Sequence, residues 1–275
     1  MASANASRIF FSGRNIQKAN ELIQKLEKSS PNTQFTFIQC DLASLESVQK
    51  AAKQFLSESD RLDVLMCNAG IMALPPGVTK DGYEIQFGTN HLGHALLIKL
   101  FLPILQKTAD QPNSDVRIIN MSSIGYKQAP KSGIDFATLK SPQPTLGSVP
   151  PGHRWSRYGQ SKLANLLYAK DLARRYPKIT SVAIHPGFVR TDLFANVPIL
   201  TRLPVEIMVG NNWTPVEQGP YSQTWAATTV KQNLQSGTYY EPIGKKTKPT
   251  TKQANDDKLA GDLWEWTQKE LQHLA

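Results

Sequence analysis

A tyrosine and a lysine on one long amphipathic segment have the types and spacing needed for proton transfer. Tyr158 and Lys162 are four residues apart, so on a helix they share one face, about one turn from each other. A phenol with an ordinary pKa of about 10 transfers protons poorly at neutral pH. A nearby ammonium favours the phenolate and lowers that pKa, which makes the phenol usable as an acid–base. Such pairs also occur by chance on solvated helices, so the pair gains meaning only with Ser123, a hydroxyl donor at a predicted strand end.

Short apolar runs that alternate with amphipathic stretches predict the elements that must position these residues. Strands are predicted at 9–12, 35–40, 63–67, 116–121 and 179–184, with a short one near Tyr239. Helices are predicted over 16–26, over 45–56 after an N-cap at Ser44, and over 81–106, 156–176, 215–230 and 255–274. The alternation predicts an α/β fold, a Rossmann-like doubly wound parallel sheet covered on both faces. No repeat or linker divides the chain, so a single domain over 1–275 is expected.

The composition excludes several broad classes of protein. The 275 residues are 40% apolar and 19% charged, which is incompatible with a wholly disordered chain and allows a sizeable core. Only two cysteines occur, Cys40 and Cys67, so a disulfide framework is excluded and each is expected to be a small buried hydrophobe. They fit a reducing, cytoplasmic location. No apolar stretch is long enough to span a bilayer, and no signal segment is expected.

The net charge of +9 raises the question of a nucleic-acid partner. The one dense basic run, 245–252, lies among Thr and Pro and has no interleaved aromatic residues that could stack on bases. A solvated loop is the simpler interpretation, and nucleic-acid binding is kept as an outside alternative that a steep salt dependence would support. No nucleic-acid partner and no metal site are predicted, whereas a diffuse positive field would suit a small anionic ligand.

Ligands of such sheets bind beyond the carboxyl ends of the strands, where this chain carries small or polar residues. Taken singly, each of these residues has an ordinary explanation as a turn or strand-end residue. Together they are expected to line one edge of the sheet. They are Arg14, Asp41, Asn68-Ala69-Gly70, Ser122-Ser123 and Pro186-Gly187.

Five motifs follow one another along the chain: Asn68-Ala69-Gly70, Asn90, Asn120-Met121-Ser122-Ser123, Tyr158-Gly159-Gln160-Ser161-Lys162 and His185-Pro186-Gly187-Phe188-Val189-Arg190-Thr191. In order and spacing they resemble the motifs of the short-chain dehydrogenase/reductases, from about residue 8 to the C-terminus. The runs 90–94 and 161–165 are most similar to the branch of the retinol dehydrogenases and WW-domain oxidoreductases. The segments 239–244 and 263–267 are similar to uncharacterised fungal members, which suggests secondary metabolism.

The resemblance implies an NAD(P)-dependent oxidoreductase that interconverts a carbonyl and an alcohol. Tyr158 would give a proton to the carbonyl oxygen, and Lys162 would lower the pKa of Tyr158 and hydrogen-bond the nicotinamide ribose. Ser123 would polarise the substrate oxygen, and Asn90 would hold the water of a proton relay. Tyr158, Lys162 and a set of strand-end residues would contact the cofactor. That set comprises Asp41, Leu42, Asn68, Ala69, Gly70, Pro186, Gly187, Val189 and Thr191.

Arg14 bears on the choice between NAD and NADP. It ends the strand at which NAD-preferring relatives are expected to carry an acidic residue for the ribose hydroxyls. An arginine there can pair a 2′-phosphate through a charge-assisted, bidentate fork, although it can also be a solvent-facing residue. NADP is therefore the predicted cofactor.

The resemblance also implies a missing element. In the family, the strand that ends at Arg14 is the second, after a first strand, a Gly-rich turn and a helix. Only eight residues precede Ile9, and none of the 17 Gly lie two apart, so the sheet is expected to lack its first strand and helix. Their loss would remove amides that cradle a pyrophosphate and leave two strand edges facing an empty slot. Three interpretations compete: an NADP enzyme that uses its remaining contacts, a truncated and inactive product, or a non-catalytic binding protein.

Two segments are candidates for controlling the substrate. Residues 126–155 form a Pro-rich insertion between a strand and a helix, longer than a simple connection, and 194–209 is strongly apolar. The hypothesis is that both form a lid over a hydrophobic carbonyl or alcohol compound. A homo-oligomer is compatible with the sequence.

Overall fold

The computed structural model describes residues 6–147, 152–190, 194 and 197–274. Within these residues the strands fall on the apolar runs, each within one or two residues of its predicted bounds where bounds were predicted. The strands are β1 Arg8–Gly13, β2 Gln34–Gln39, β3 Val64–Cys67, β4 Arg117–Met121, β5 Thr180–Ile184, β6 Tyr239–Glu241 and β7 Lys245–Lys246.

Most helices lie where they were predicted, and several begin at side-chain caps. The helix predicted over 81–106 runs without interruption only from Gly93, and the helix Ile199–Val209 was not predicted. Ser44 accepts a hydrogen bond from the Ser47 amide at 3.4 Å, and Asn15 accepts one from the Lys18 amide at 2.9 Å, so both satisfy otherwise unpaired amides of a first turn. The helices are α1 Ile16–Ser29, α2 Leu45–Glu58, α3 Gly93–Ala109, α4 Gly152–Arg175, α5 Ile199–Val209, α6 Tyr221–Thr228 and α7 Asp257–Glu270.

The strands are arranged in two hydrogen-bonded groups. β1 and β2 pair in parallel, and β3, β4, β5 and β6 form a parallel sheet to which β7 adds an antiparallel edge. Among the described residues, β1 pairs only with β2, and β3 pairs only with β4. One edge of β1 and one edge of β3 therefore carry no strand. This arrangement agrees with the expected α/β sheet that lacks one strand between them.

One hydrophobic core nevertheless joins the two groups of strands into a single domain. The ring of Phe10 in β1 lies 4.7 Å from that of Phe55 in α2, which lies 4.7 Å from that of Phe101 in α3. The same core contains Ile38 of β2 and Ile118 of β4. On the opposite face, α6 covers β4 and β5 in a smaller cluster. The larger sheet is thus covered on both faces, as parallel sheets require.

Some surface expectations were wrong. The apolar face of α1 is largely solvated: Ile16 is 49% and Leu22 is 44% exposed, because α1 packs mainly on β2 at the edge of the molecule. The apolar periodicity of the predicted helix 45–56 also predicts that Leu56 is buried, but Leu56 is exposed near the end of α2. The basic run expected to be a solvated loop begins instead with Lys245 and Lys246, which pair with β6 as an edge strand.

The insertion 126–155 is fastened to α4 over much of its length. Ile134 and Leu139 are buried in the core. The side-chain amide of Gln160 accepts a hydrogen bond from the Asp135 amide and donates one to the side chain of Gln143, both at 2.8 Å. This part of the insertion is a packed support rather than the free lid of the hypothesis. Within the described ranges, we find no helix both long and apolar enough for a membrane span.

The two cysteines are buried, as predicted. Burial raises the pKa of Cys40 to about 11 and that of Cys67 to about 12. Both thiols therefore remain protonated at neutral pH, which fits small apolar core residues rather than nucleophiles.

Candidate active site

Ser123, Tyr158, Lys162 and Asn90 converge where β3 and β4 end against α4. Ser123 follows β4 in an extended conformation and caps the 3₁₀ turn Ile124–Gln128, accepting the Gly125 amide at 3.0 Å. Tyr158 and Lys162 lie in the buried middle of α4. The end of β4 positions the Ser123 hydroxyl, and α4 positions the Tyr158 phenol and the Lys162 ammonium. The predicted residues therefore come together from separate parts of the chain.

Asn90 fixes the segment that follows β3. It lies in a π-helical turn, Gly88–Leu92, a distortion that often marks functional sites. Its side chain accepts the Ile71 amide at 2.8 Å and donates to the Ile71 carbonyl and to Ser161 Oγ, both at 2.9 Å. Both amide hydrogens are therefore already donated within the protein. The expected relay water stays a prediction, since such a water would have to use other atoms.

Gly70 is the point at which these elements meet. A Cβ at Gly70 would lie 3.0 Å from Asn90 Oδ1 and 3.3 Å from Lys162 Nζ. A side chain at Gly70 would therefore crowd the buried ammonium of Lys162. Lys162 Nζ donates to the Met121 carbonyl at 3.1 Å, and no other protein acceptor for it lies in the described part of the chain. A buried ammonium with unused donors is suited to hydrogen-bonding a ligand at this position.

The pKa of Tyr158 is raised, whereas the nearby Lys162 was expected to lower it. Burial raises the pKa of Tyr158 to about 12, and its hydrogen bond with Ser123 lowers it only in part. Burial also lowers the pKa of Lys162 to about 8, and Nζ lies 5.7 Å from the centre of the Tyr158 ring. Desolvation disfavours both the Tyr158 phenolate and the Lys162 ammonium. This effect outweighs the attraction between the two groups that their helical spacing predicted. At neutral pH the Tyr158 hydroxyl is therefore protonated and is not a phenolate.

Sequence reasoning missed two glycines that let the helix and the strand end approach each other. A Cβ at Gly125 would lie 2.8 Å from Tyr158 Cε1, and one at Gly159 would lie 2.6 Å from the Ala129 amide nitrogen. The available signal was their position, two residues after Ser123 and directly after Tyr158.

Asn165 was also missed as a supporting residue. Its side chain donates to the carbonyls of Asn90 at 3.1 Å and Met121 at 2.9 Å. It therefore ties the π-helical turn to the end of β4. Its spacing of three residues from Lys162 was the only sequence signal for this role.

We expect Gly125→Ala to lower turnover by about tenfold or more, because the added methyl must displace the Tyr158 ring. Steady-state kcat measures this effect. Gly261→Ala is the control, since nothing lies within 4 Å of a Cβ there and α7 should gain about 0.5–1 kcal/mol. Unchanged turnover in Gly125→Ala would show that the ring position is not critical.

We expect Lys162→Met to raise the thermal unfolding midpoint at neutral pH while lowering turnover. The folded-state pKa of Lys162 is depressed to about 8, so its charged form costs stability below that pH, and the cost fades as pH rises toward the unfolded value. The gain in Tm should therefore stay constant below about pH 8 and shrink between about pH 8 and the unfolded pKa of about 10.5.

Lys170→Met is the control for this prediction. Lys170 lies on the same helix and donates to the Ala254 carbonyl at its surface. A Tm gain that does not depend on pH, or one equal to that of the control, would contradict the role of burial at Lys162.

The adenine-side candidates lie beyond β1 and β2. Arg14 is exposed directly after β1, and its guanidinium has no hydrogen-bond or ion-pair partner among the described residues. Asp41 Oδ1 accepts the Ala43 amide at 3.1 Å. The Leu42 carbonyl would lie 2.5 Å from a Cβ at Gly93, the first residue of α3. The end of β2 is thus joined to the helix that follows Asn90.

The remaining candidates follow β3 and β5. Asn68 and Ala69 are exposed beyond β3. Pro186, Gly187 and Val189 follow β5 and are half-buried, with Gly187 at a φ of 98°, a conformation that favours glycine. Thr191 lies outside the described residues.

Comparison with known proteins gives the same result as the geometry. A family model described as short chain dehydrogenase matches residues 1–141. An uncharacterised oxidoreductase of Schizosaccharomyces pombe is 36% identical over 279 residues, covering 98% of this chain and 80% of the relative. The chain belongs to the short-chain dehydrogenase/reductase family.

Solved structures support the assignment to this family. An uncharacterised protein from Mycobacterium paratuberculosis is 26% identical with a TM-score of 0.66, over 94% of this chain and 82% of that one. The carbonyl reductase Sniffer of D. melanogaster is 25% identical with a TM-score of 0.59, over 87% of each chain. This member of the short-chain dehydrogenases is therefore an enzyme of the oxidoreductase class, with a fold that binds NAD(P).

Proposed function

We propose that the protein is an NADP-dependent oxidoreductase that interconverts a carbonyl and an alcohol on a hydrophobic small molecule. The observation that carries this proposal is the cluster at the strand ends, in which the half-buried Ser123 hydroxyl lies beside the buried Tyr158, Lys162 and Asn90 side chains. Similarity to a carbonyl reductase supports the same reaction class. The substrate and the choice of cofactor are part of the proposal.

The residues present fit one end of the cofactor well. Lys162 has unused donors beside Gly70, where a ribose could accept them, and Pro186, Gly187 and Val189 lie beyond the neighbouring part of the sheet. At the other end, Arg14 and Asp41 lie at the ends of β1 and β2. The sequence has no Gly-x-Gly turn, so pyrophosphate contacts of that kind are not supplied by these 275 residues.

The protein's own groups handle the proton and the orientation of the substrate. A bound nicotinamide cofactor supplies or accepts the hydride. Ser123 and Tyr158 hydrogen-bond the carbonyl oxygen, and Tyr158, protonated at neutral pH, donates its proton to that oxygen. Lys162 holds the cofactor side of the site and stabilises the phenolate left behind. The hydrogen bonds of Asn90 and Asn165 hold the segment after β3 and the π-helical turn in fixed positions.

The test of cofactor choice is equilibrium binding of NADPH and NADH to the whole protein. We expect NADPH to bind at least about tenfold more tightly, because the unpaired Arg14 guanidinium can form charge-assisted hydrogen bonds to a 2′-phosphate. Arg14→Met should remove most of this difference, and Lys28→Met, which removes an exposed charge from α1, should not. Equal affinities for the two cofactors would overturn the NADP proposal.

The same titration separates the alternatives. Binding with turnover of a carbonyl supports the enzyme, and failure to bind either cofactor supports an inactive relative that acts only as a binding protein. A cytoplasmic location, a role in secondary metabolism and homo-oligomer formation stay predictions.

The hydrophobic character of the substrate is inferred from α5. This helix presents a stripe of exposed apolar side chains, among them Leu200 at 77% exposure. Pro198, just before α5, lines an apolar cavity beside the catalytic cluster. The lid proposal therefore rests on 194–209 rather than on the packed insertion. Replacing exposed apolar residues of α5 with serine should weaken binding of apolar substrates, and unchanged KM would argue against a lid.

A further inference from the structure

A cavity of about 320 Å³ opens beside the catalytic cluster. Its walls are residues 71–75, Arg154 and Pro198, and all but Arg154 are apolar. Ile71 is hydrogen-bonded to Asn90, so the cavity begins next to the reacting groups. Arg154 lies four residues before Tyr158 on α4, about 6 Å along the helix axis and on the same face. The cavity is thus placed to hold the part of a substrate that extends away from its carbonyl.

Arg154 is the one charged residue in this wall, and no carboxylate in the described ranges neutralises its charge. Its side chain is half-buried and makes a single long hydrogen bond, 3.4 Å from Nη1 to the Ala73 carbonyl. No carboxylate of the described residues lies within ion-pair distance of it. A guanidinium that lines an apolar wall without a counter-ion is costly unless a ligand supplies one.

The neighbouring arginine shows the contrast. Arg157 is fully buried, contacts Glu84 at 3.3 Å and donates to the carbonyls of Gln143 at 3.0 Å and Leu74 at 2.9 Å. Burial lowers the pKa of Arg157, Glu84 raises it, and the nearby charge of Arg154 lowers it again. Arg157 thus pairs with the Glu84 carboxylate, and the charge of Arg154 has no counter-ion among the described residues.

We propose that Arg154 is a specificity-determining residue that selects carbonyl substrates carrying a carboxylate, with the apolar body of the substrate in the 71–75 cavity. The planar guanidinium matches a carboxylate in a bidentate fork. One uncompensated positive charge balances a monoanion, whereas a phosphate dianion would leave an excess negative charge. The inference rests on the proposed carbonyl chemistry and names its substrate class.

The rise of α4 sets the expected geometry of the ligand. With Tyr158 at the carbonyl and Arg154 one turn away, the carbonyl and carboxylate carbons should be roughly 6 Å apart. A rigid aromatic aldehyde with a para carboxylate has a separation of this order. The para carboxamide is a neutral compound of nearly the same shape, so a comparison of the two isolates the charge.

The first experiment measures binding without turnover. We expect the whole protein to bind para-methylbenzoate about tenfold or more tightly than para-methylbenzamide, measured by NMR titration. Arg154→Met should abolish this preference while leaving the amide affinity unchanged, which also shows that the variant is folded. Arg174→Met removes a charge at the far end of the same helix and should retain the preference. Equal affinities in the unsubstituted protein, or a preference that survives Arg154→Met, would overturn the proposal.

The second experiment measures reduction of para-formylbenzoate and para-formylbenzamide. We expect kcat/KM to favour the carboxylate by about tenfold or more, chiefly through KM, and the preference to vanish in Arg154→Met and to return in part in Arg154→Lys. If neither aldehyde reacts but benzoate binding still depends on Arg154, the carbonyl chemistry fails and the anion site stands. If both react equally well, the anion site fails and the chemistry stands.

Discussion

Replacing Tyr158 with phenylalanine is expected to lower kcat for carbonyl reduction by about 10²–10⁴-fold. The substitution removes the hydroxyl that hydrogen-bonds Ser123 and that we propose as the proton donor, while it retains the ring that packs against Gly125. Because Tyr158 is protonated at neutral pH, the loss should appear in the reductive direction as a missing general acid. Single-turnover oxidation of NADPH with an aromatic aldehyde measures it.

Tyr168→Phe is the matched control. Tyr168 is a fully buried tyrosine on the same helix, and its hydroxyl accepts only a long hydrogen bond, 3.4 Å, from Gln268. Its replacement should leave kcat within about twofold, since no reacting group is touched. If the two variants lost activity equally, or if Tyr158→Phe retained full activity, Tyr158 would not be the proton donor.

Arg157→Met is expected to destabilise the fold by about 3–5 kcal/mol, the largest effect on stability that we predict. Arg157 is fully buried and holds three separate parts of the chain through Glu84, Gln143 and Leu74. Its removal leaves two buried carbonyls without this donor and Glu84 without its counter-ion. Urea denaturation, followed by tryptophan fluorescence, gives the change in the free energy of unfolding.

The pH dependence identifies the cause of this loss. Burial raises the pKa of Glu84, and Arg157 partly offsets that rise. A carboxyl with a raised folded-state pKa contributes stability at low pH and loses it as pH rises through that pKa. Arg157→Met should therefore be least destabilising in acid and most destabilising above neutral pH. Adding Glu84→Gln should recover part of the loss at high pH.

The control for this pair is Arg61→Met. Arg61 forms an exposed ion pair with Asp63, and exposed pairs contribute about 0–1 kcal/mol. A loss in Arg157→Met no larger than in Arg61→Met would mean that the buried pair does not hold the insertion and the 71–75 segment together.

Local signals in the sequence predicted the elements well. The cap predicted at Ser44 places the start of α2 because its side chain bonds an amide only three residues away. The apolar runs of β4 and β5 are buried throughout, as parallel strands require. In contrast, β7 was missed because Lys245 and Lys246 gain their strand from pairing with β6, which residue type does not encode.

The packing of α1 and of the insertion 126–155 could not be predicted from sequence periodicity. The period of Ile16 and Leu22 predicts one apolar face for α1, but α1 packs mainly on β2 and leaves Ile16 and Leu22 exposed. The insertion has no periodic pattern, and its packing depends on hydrogen bonds to Gln160 and Arg157 of α4, the helix that follows it.

The sequence by itself determined the family and the α/β class, because motif order and the alternation of elements are properties of the chain. It also predicted Tyr158, Lys162, Ser123 and Asn90 as the site residues. Tertiary structure alone decided the protonation of Tyr158 and Lys162, since desolvation depends on what surrounds each group. It also decided which arginine is neutralised. Arg154 and Arg157 are three residues apart in one helix, yet only Arg157 meets a buried carboxylate, because Glu84 arrives from another part of the fold.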